Sequence, residues 1–309
     1  MGGLLCDIGT YYGFFAIWMT LTVLGFVTMM VLSSLVFYPL YCNPTYESWI
    51  WKSNPKFPSP ALVKKEIIHT TKGLVIATLI PAFAITNSDI EFGPFKLQGY
   101  CGVGDPMNGS LLQELAFETF VIISFSEFFE YAYHWLGHYF LFMWSIHKHH
   151  HAFYNPSPFA VIADDWLDQF NRTLPLVLIP LICPINMDLL FGIFTLLFYG
   201  YGVYLHAGYE MPGLSAHQPI FNTSYHHYTH HAISAIGRPI YTGFFIKLWD
   251  NLFHTYLDKC SCVECRPKRT KKQFDAVEKP DYSVLLCPSY WARDEVPAEF
   301  LVDGTIKID

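Results

Sequence analysis

Charge is scarce in this chain. Only 15% of its 309 residues are Asp, Glu, Lys or Arg, against 52% hydrophobic and 18% aromatic. Soluble domains carry about a quarter of their residues charged, so this deficit argues against two soluble domains and for a membrane protein. A basic surplus is also missing: the net charge is −7, which excludes the electrostatic footprint of a nucleic-acid binder. No basic residue precedes the first apolar run, since the first lysine is Lys52, and that run is too long for the core of a cleaved signal peptide. The chain has no glycine-rich dinucleotide fingerprint, no haem-binding domain and no solenoid-type repeat. Electrons for any redox chemistry must therefore come from a partner.

What is present begins with apolar spans. Tyr11 to Tyr38 lacks any charged side chain and is long enough to cross roughly 30 Å of hydrocarbon. Lys52, Lys56, Lys64, Lys65 and Lys72 follow it, so the positive-inside rule sets the N-terminus on the lumen or exterior and the loop Pro39 to Pro60 in the cytosol. Ile67 to Thr86 is a second span that Pro81 should kink. Asn87 to Ser110 then returns to the luminal side with an Asn108-Gly109-Ser110 glycosylation acceptor, and Cys6 and Cys101 share that side. Leu111 to Tyr133 is a third apolar helix, carrying Glu114, Glu118, Glu127 and Glu130. Carboxylates inside a span are costly and mark a site, a pathway or a helix end. Leu174 to Leu205 is apolar but broken by Pro175, Pro180, Pro184 and Gly192, which predicts a hairpin of two helices that dips in and returns. The expected fold is all-α, with about four transmembrane or re-entrant helices and a cytosolic helical cap. Three regions follow: a membrane region over 1–110, a central domain over 111–256 and a cytosolic tail over 257–309.

The chemistry lies in the fourteen histidines. Three boxes stand out, H-x-x-x-H at His134 and His138, H-x-x-H-H at His147, His150 and His151, and H-x-x-H-H at His227, His230 and His231. Residues four apart share one helix face, so His134/His138, His147/His151 and His227/His231 each offer two imidazoles to one point. His150 and His230 lie about a hundred degrees round the helix, which suits a second ion nearby. His206, at the mouth of the hairpin, is a further candidate ligand. Eight or more imidazoles exceed the four ligands of a tetrahedral zinc but suit two octahedral irons with positions left for O2, although zinc accepts the same imidazoles. Glu127, Glu130, Asp165 and Asp168 are candidates to orient these rings, with Asp164 read as a solvated helix start. His149 and His226 sit beside ligand positions but outside the spacing. One or two such histidines would more often be buried core residues; three boxes in register are not.

Cys260, Cys262 and Cys265 form a C-x-C-x-x-C cluster that could take zinc with Cys287 or His254 as the fourth ligand. The basic run Lys268 to Lys272 suits anionic headgroups or a plain solvated surface.

The three boxes, in this order and at these separations between apolar hairpins, resemble the fatty acid hydroxylase/sterol desaturase superfamily of integral membrane diiron enzymes, over roughly Glu114 to Tyr256. The run Asn222 to His231, followed by Phe244 to Leu248 and Trp249-Asp250, is similar to the third box of sterol 5-desaturases, as is Ser157-Pro158-Phe159-Ala160 after the second. Where many such desaturases have His-Pro, this chain has Asp165-Trp166, a departure that bears on substrate and outcome. The resemblance implies two iron ions with O2 as cosubstrate, a membrane lipid substrate with a sterol first, and electrons from cytochrome b5 and its NAD(P)H reductase. It also implies an endoplasmic reticulum membrane location with cytosolic boxes, and is compatible with a homodimer. Desaturation and hydroxylation of a sterol, fatty acyl, sphingoid or alkyl lipid stay open on one site. A non-catalytic membrane metal-binding protein is the reading from another class.

Overall fold

The computed structural model describes residues 3–102, 110–295, 297, 301–302 and 305–306, so Asn108 and Gly109 of the glycosylation acceptor lie outside the described residues. Helix α1 spans Leu4–Phe37 and continues through a π turn to Cys42. It begins ahead of the predicted Tyr11 because Gly13 lets the chain bend at φ 80° without ending the run. The short α2 (Tyr46–Trp49) leads to α3 (Pro60–Ala77), which opens with Ser59 as N-cap and a proline in its first turn. Helix α4 (Leu79–Thr86) follows directly. The break expected at Pro81 falls at Thr78, because the prolyl nitrogen cannot donate to the carbonyl of Ala77.

Helix α5 (Leu111–Tyr139) starts at a Ser110/Gln113 capping box, and α6 (Leu141–His151) follows it with one residue between. Helix α7 (Trp166–Arg172) precedes the hairpin. Its outward arm is α8 (Pro175–Ile182), and its return arm is α9 (Met187–Ile193), a π turn and α10 (Tyr199–His206). The remaining helices are α11 (Ser224–Ile233), α12 (Leu248–Leu252), α13 (Lys271–Ala276) and α14 (Pro288–Trp291). Among the described residues, strand is confined to two-residue pairs. Of these, β1 (Glu91–Phe92) and β2 (Phe95–Lys96) make a hairpin, β3 (Gly99–Tyr100) runs parallel to β4 (Ile185–Asn186), and β5 (Leu301–Val302) pairs with β6 (Thr305–Ile306). The fold is all-α.

Among the described residues, Leu4–Cys42, Pro60–Thr86 and Met187–His206 are long and apolar enough to cross a membrane. Helix α5, at 29 residues, matches them in length but carries its four carboxylates. Tyr12, Phe15, Met19, Val23, Val27, Val31 and Leu35 recur every three or four residues on α1 and are exposed. This is the stripe a helix presents to lipid. Apolar burial gains little between helices already bathed in lipid, so close approach and polar contacts must hold them together. Trp18 donates its indole N–H to the Val75 carbonyl at 2.9 Å, and the Thr22 and Thr78 hydroxyls meet at 2.7 Å. Gly73 of α3 lies so near the next layer that a Cβ there would sit 2.9 Å from the Ile162 carbonyl.

The hairpin tip packs at the end of the bundle opposite the histidines. Leu5 N–H donates to Asp188 at 3.0 Å, and Cys6 is disulfide-bonded to Cys101 beside it. Two of the four α5 carboxylates are used here. The Asn186 amide and the Tyr100 hydroxyl both donate to Glu118, at 2.9 and 2.7 Å, and Glu114 is buried alongside.

Candidate metal centre

The boxes occupy the far ends of α5, α6 and α11, with α10 closing the fourth side. Each helix brings its i,i+4 pair to one face, and the four ends converge on two groups of imidazoles. His134, His138, His147, His151 and His230 form one; His150, His206, His227 and His231 form the other; within each, the ligand atoms lie within 4.8 Å of one another. The groups are neighbours, with the ring centroids of His151 in the first and His231 in the second 5.3 Å apart. All nine histidines singled out by spacing or by position at the hairpin mouth are thus brought together. His150 and His230 fall in the opposite group from their box partners, as the hundred-degree offset requires.

Tautomers decide what these groups can bind. The Nδ1 atoms of His134, His138 and His230 face the carbonyls of Thr242, Ala235 and Ile240 at 3.0, 3.2 and 2.6 Å. That of His206 faces the Gly202 carbonyl at 2.8 Å, that of His147 faces Asp168 at 2.9 Å, and that of His150 contacts Asp164. A carbonyl can only accept, so the ring proton sits on Nδ1 and the Nε2 lone pair points inward. Inward, Nε2 meets Nε2. His151 lies 3.1 Å from His138 and 3.2 Å from His147, while His227 lies 2.9 Å from His206 and 3.1 Å from His231. The Nε2 atoms of His134 and His230 are buried without a partner. Converging lone pairs repel unless a cation lies between them. Metal–nitrogen bonds of about 2.0–2.1 Å would put neighbouring octahedral donors roughly 2.9 Å apart, close to what is seen. Burial first, then repulsion among imidazoles, holds His147, His151, His227, His230 and His231 well below the ordinary histidine range. They are neutral, as metal ligands must be.

The supports of these rings differ in part from those expected. Asp168 is buried against His147, whose ring it orients. Asp164, expected to be solvated, is buried on His150, because the preceding turn is pulled inward. Ser157 N–H donates to Glu66 of α3 at 3.0 Å, and Thr70 and Ser33 donate to the carbonyls of Phe159 and Pro158. Asp165 faces away and caps α7 through the Leu167 amide at 2.9 Å. Glu127 touches no imidazole: its two oxygens accept the amides of Phe245 and Ile246 at 2.9 and 3.0 Å. Glu130 pairs instead with Arg172, which also reaches Asp164 and Asp168 at 3.5 and 3.6 Å. His226 accepts the Thr223 amide at 3.1 Å and so closes the N-terminus of α11, while His149 lies half-buried on the flank of α6.

Residues 119–255 match the sequence profile of the fatty acid hydroxylase family. The match takes in the whole of the central region that carries the nine histidines. Among curated relatives, the chain is 28% identical to a lathosterol oxidase of Rattus norvegicus over 62% of its own length and 60% of the relative's. It is 29% identical to the lathosterol oxidase of Homo sapiens over 62% of each chain. A Delta(7)-sterol 5(6)-desaturase of Aspergillus fumigatus is 25% identical over 80% of this chain and 63% of that protein. The chain thus spans about three fifths of the relatives it matches. No solved structure matches it.

One important support within the matched residues carries no role on sequence alone. Asp250, inside the Trp249-Asp250 string, accepts the amides of Thr242 and Gly243 at 2.9 and 3.1 Å and the Thr255 hydroxyl at 2.6 Å. It thereby holds the carbonyl on which His134 leans. Burial pushes Asp250 up to about 6, with those same donors pulling the other way. Outside the region, Arg269 of the basic run turns inward to the carbonyls of Trp49 and Ser53 at 3.1 and 3.0 Å. It is spent on the fold, away from headgroups.

Proposed function

We propose that this chain is an oxygen-dependent lipid oxidase whose two irons are held by the two imidazole groups, and that its substrate is a sterol desaturated at the 5-position. The observation that carries the reading is the set of buried imidazoles whose Nε2 atoms converge from four helix ends, six of them with the Nδ1 proton tied to a carbonyl or a carboxylate. His134, His138, His147, His151 and His230 would hold one iron; His150, His206, His227 and His231 would hold the other. When bound, the irons supply oxygen-dependent oxidation of an unactivated C–H bond.

The protein's own part is positional. Asp164, Asp168 and the carbonyls of Thr242, Ala235, Ile240 and Gly202 keep the ring proton of six of the nine imidazoles, His150, His147, His134, His138, His230 and His206, on Nδ1. Glu127 and Asp250 hold the loop that carries Thr242. Burial of the rings keeps bulk water from the reacting centre, and the neighbouring spans bring substrate from the bilayer. Cytochrome b5 and its reductase would supply electrons at the histidine end. That end faces the cytosol and the Cys6–Cys101 disulfide faces the lumen of the endoplasmic reticulum, where an oxidising compartment sustains the bond.

Expression in a eukaryotic host lacking its own sterol 5-desaturase, beside a His230→Ala control, tests the reading through the ultraviolet bands of a conjugated 5,7-diene. A diene with the intact chain alone supports it. No diene from folded, iron-loaded protein overturns 5-desaturation. Asp165-Trp166, in place of the His-Pro of many desaturases, makes hydroxylation the next reaction to seek in the extracted lipids by mass spectrometry. Zinc-loaded protein that consumes neither oxygen nor reductant would favour a metal-binding role.

A further inference from the structure

A second kind of metal site lies apart from the imidazole groups. Cys260, Cys262 and Cys265 come from a turn after α12, and His217 reaches them from the loop between α10 and α11. Their ligand atoms lie within 4.8 Å of one another. His217 Nε2 is 3.1 Å from Cys265 Sγ and 3.4 Å from Cys262 Sγ. A tetrahedral zinc with bonds of about 2.3 Å to sulfur and 2.0–2.1 Å to nitrogen separates its donors by roughly 3.5–3.8 Å, so only small shifts are needed. The backbone is wound for thiolates. The Cys262 amide points at Cys260 Sγ at 3.4 Å, and the amides of Cys265 and Arg266 fold back on the Cys262 carbonyl at 3.0 and 2.9 Å.

The fourth ligand is therefore neither of the two expected from sequence. Cys287 Sγ contacts the Ser289 hydroxyl and His254 lies beside Tyr256. The three cysteines are free thiols, whereas Cys6 and Cys101 are joined. Ligands spread over two segments also explain what the turn is tied to. Buried Cys262 packs with Ala216 and Tyr225, the Ser261 amide donates to the Tyr225 hydroxyl at 2.7 Å, and the Val263 amide donates to Glu210 at 2.9 Å.

We propose that His217, Cys260, Cys262 and Cys265 bind one structural zinc ion, which clasps the C-terminal segment to the loop leading into the third histidine box. The site is independent of the diiron reading, because it uses thiolates and shares no residue with either imidazole group.

The test uses the full chain purified in detergent, with zinc and iron counted per chain by mass spectrometry and the zinc environment read by X-ray absorption. The expected result is one zinc with a sulfur-dominated shell. Cys262→Ser and Cys265→Ser should lose it while iron stays unchanged. His217→Ala should weaken zinc binding by at least about tenfold, and His217→Cys should retain it. Should the cysteine variants fail to fold, thiol alkylation of the native chain decides. The three thiols should be protected until a zinc chelator is added. A nitrogen- and oxygen-only shell, thiols that react before chelation, or a disulfide within the cluster each overturns the proposal.

Discussion

The two imidazole groups are braced in different ways. In the five-ring group, His134, His138 and His230 lean on carbonyls of the segment 235–242, and His147 alone leans on a carboxylate, Asp168. In the four-ring group, His150 leans on Asp164 and His206 on a carbonyl of its own helix. A carbonyl cannot be deleted by changing the side chain of the residue that owns it. His134, His138 and His230 are thus insensitive to substitution at Thr242, Ala235 or Ile240 and sensitive to what shapes that segment, Asp250 at its Thr242 end and Ser234 at Ile240. The second group exposes its support to a single change at Asp164.

The largest effects should come from the rings themselves. His230→Ala strikes the first group and His227→Ala the second, and each should abolish lipid oxidation and release iron. Either variant keeping near-normal turnover would break the pairing of the groups as one centre. Asp164→Asn and Asp168→Asn should each lower activity or iron affinity about 10–100-fold, the usual consequence of removing a carboxylate behind a ligating histidine. Asp250→Asn sharpens the contrast. Its loss should reach His134 through the backbone, so the deficit should be smaller than that of Asp164→Asn and accompanied by a lower thermal midpoint. An equal deficit with unchanged midpoint would give Asp250 a role in the chemistry instead.

Away from the centre the expected effects shrink. Gly73→Ala should cost about 1–3 kcal/mol of stability by overpacking against the Ile162 carbonyl, read as a drop in unfolding temperature with iron still bound. Lys52 should act in the opposite direction. Its Nζ is buried without a hydrogen-bond partner among the rings of Tyr41, Phe57 and Tyr209. Burial, reinforced by Arg269 and opposed by Glu66, pushes it down to about 7 from an ordinary 10.5. Between those values the unfolded chain binds the extra proton, so stability should rise with pH from about 7 towards 10 and be lowest below that window. Lys52→Met should flatten this slope and raise the unfolding temperature at neutral pH. A slope unchanged by the substitution would place its origin elsewhere.

Much of the centre was legible because helical periodicity is. Spacings of three and four translate directly into shared faces, and the split of His150 and His230 from their box partners follows from the same rotation. The supports were harder to read, since adjacent acidic residues look alike until the backbone is set. Asp164 is drawn inward only because Ser157 is anchored on Glu66, nearly a hundred residues earlier, whereas Asp165 is left to cap a helix. Glu127 reads as a support for an imidazole two turns away, yet its partners are two amides from a distant loop. His217 was invisible as a zinc ligand for the same reason, being contributed by a segment with no spacing relation to the cysteines. In the membrane region, the hairpin broken by prolines was readable, while the early start of α1 was masked by the tolerance of Gly13.

The Cys6–Cys101 bond also bears on how the chain is made. Its two thiols are separated by 95 residues, and everything between them includes both α1 and the α3–α4 span. Cys6 therefore waits, during synthesis, until two crossings have been laid down and the return segment has emerged on its own side. Formation of the bond is a record of correct insertion: a nascent chain with either span threaded the wrong way leaves the two thiols in different compartments. Alkylation of newly made protein would then sort properly threaded molecules from misthreaded ones before any metal is bound.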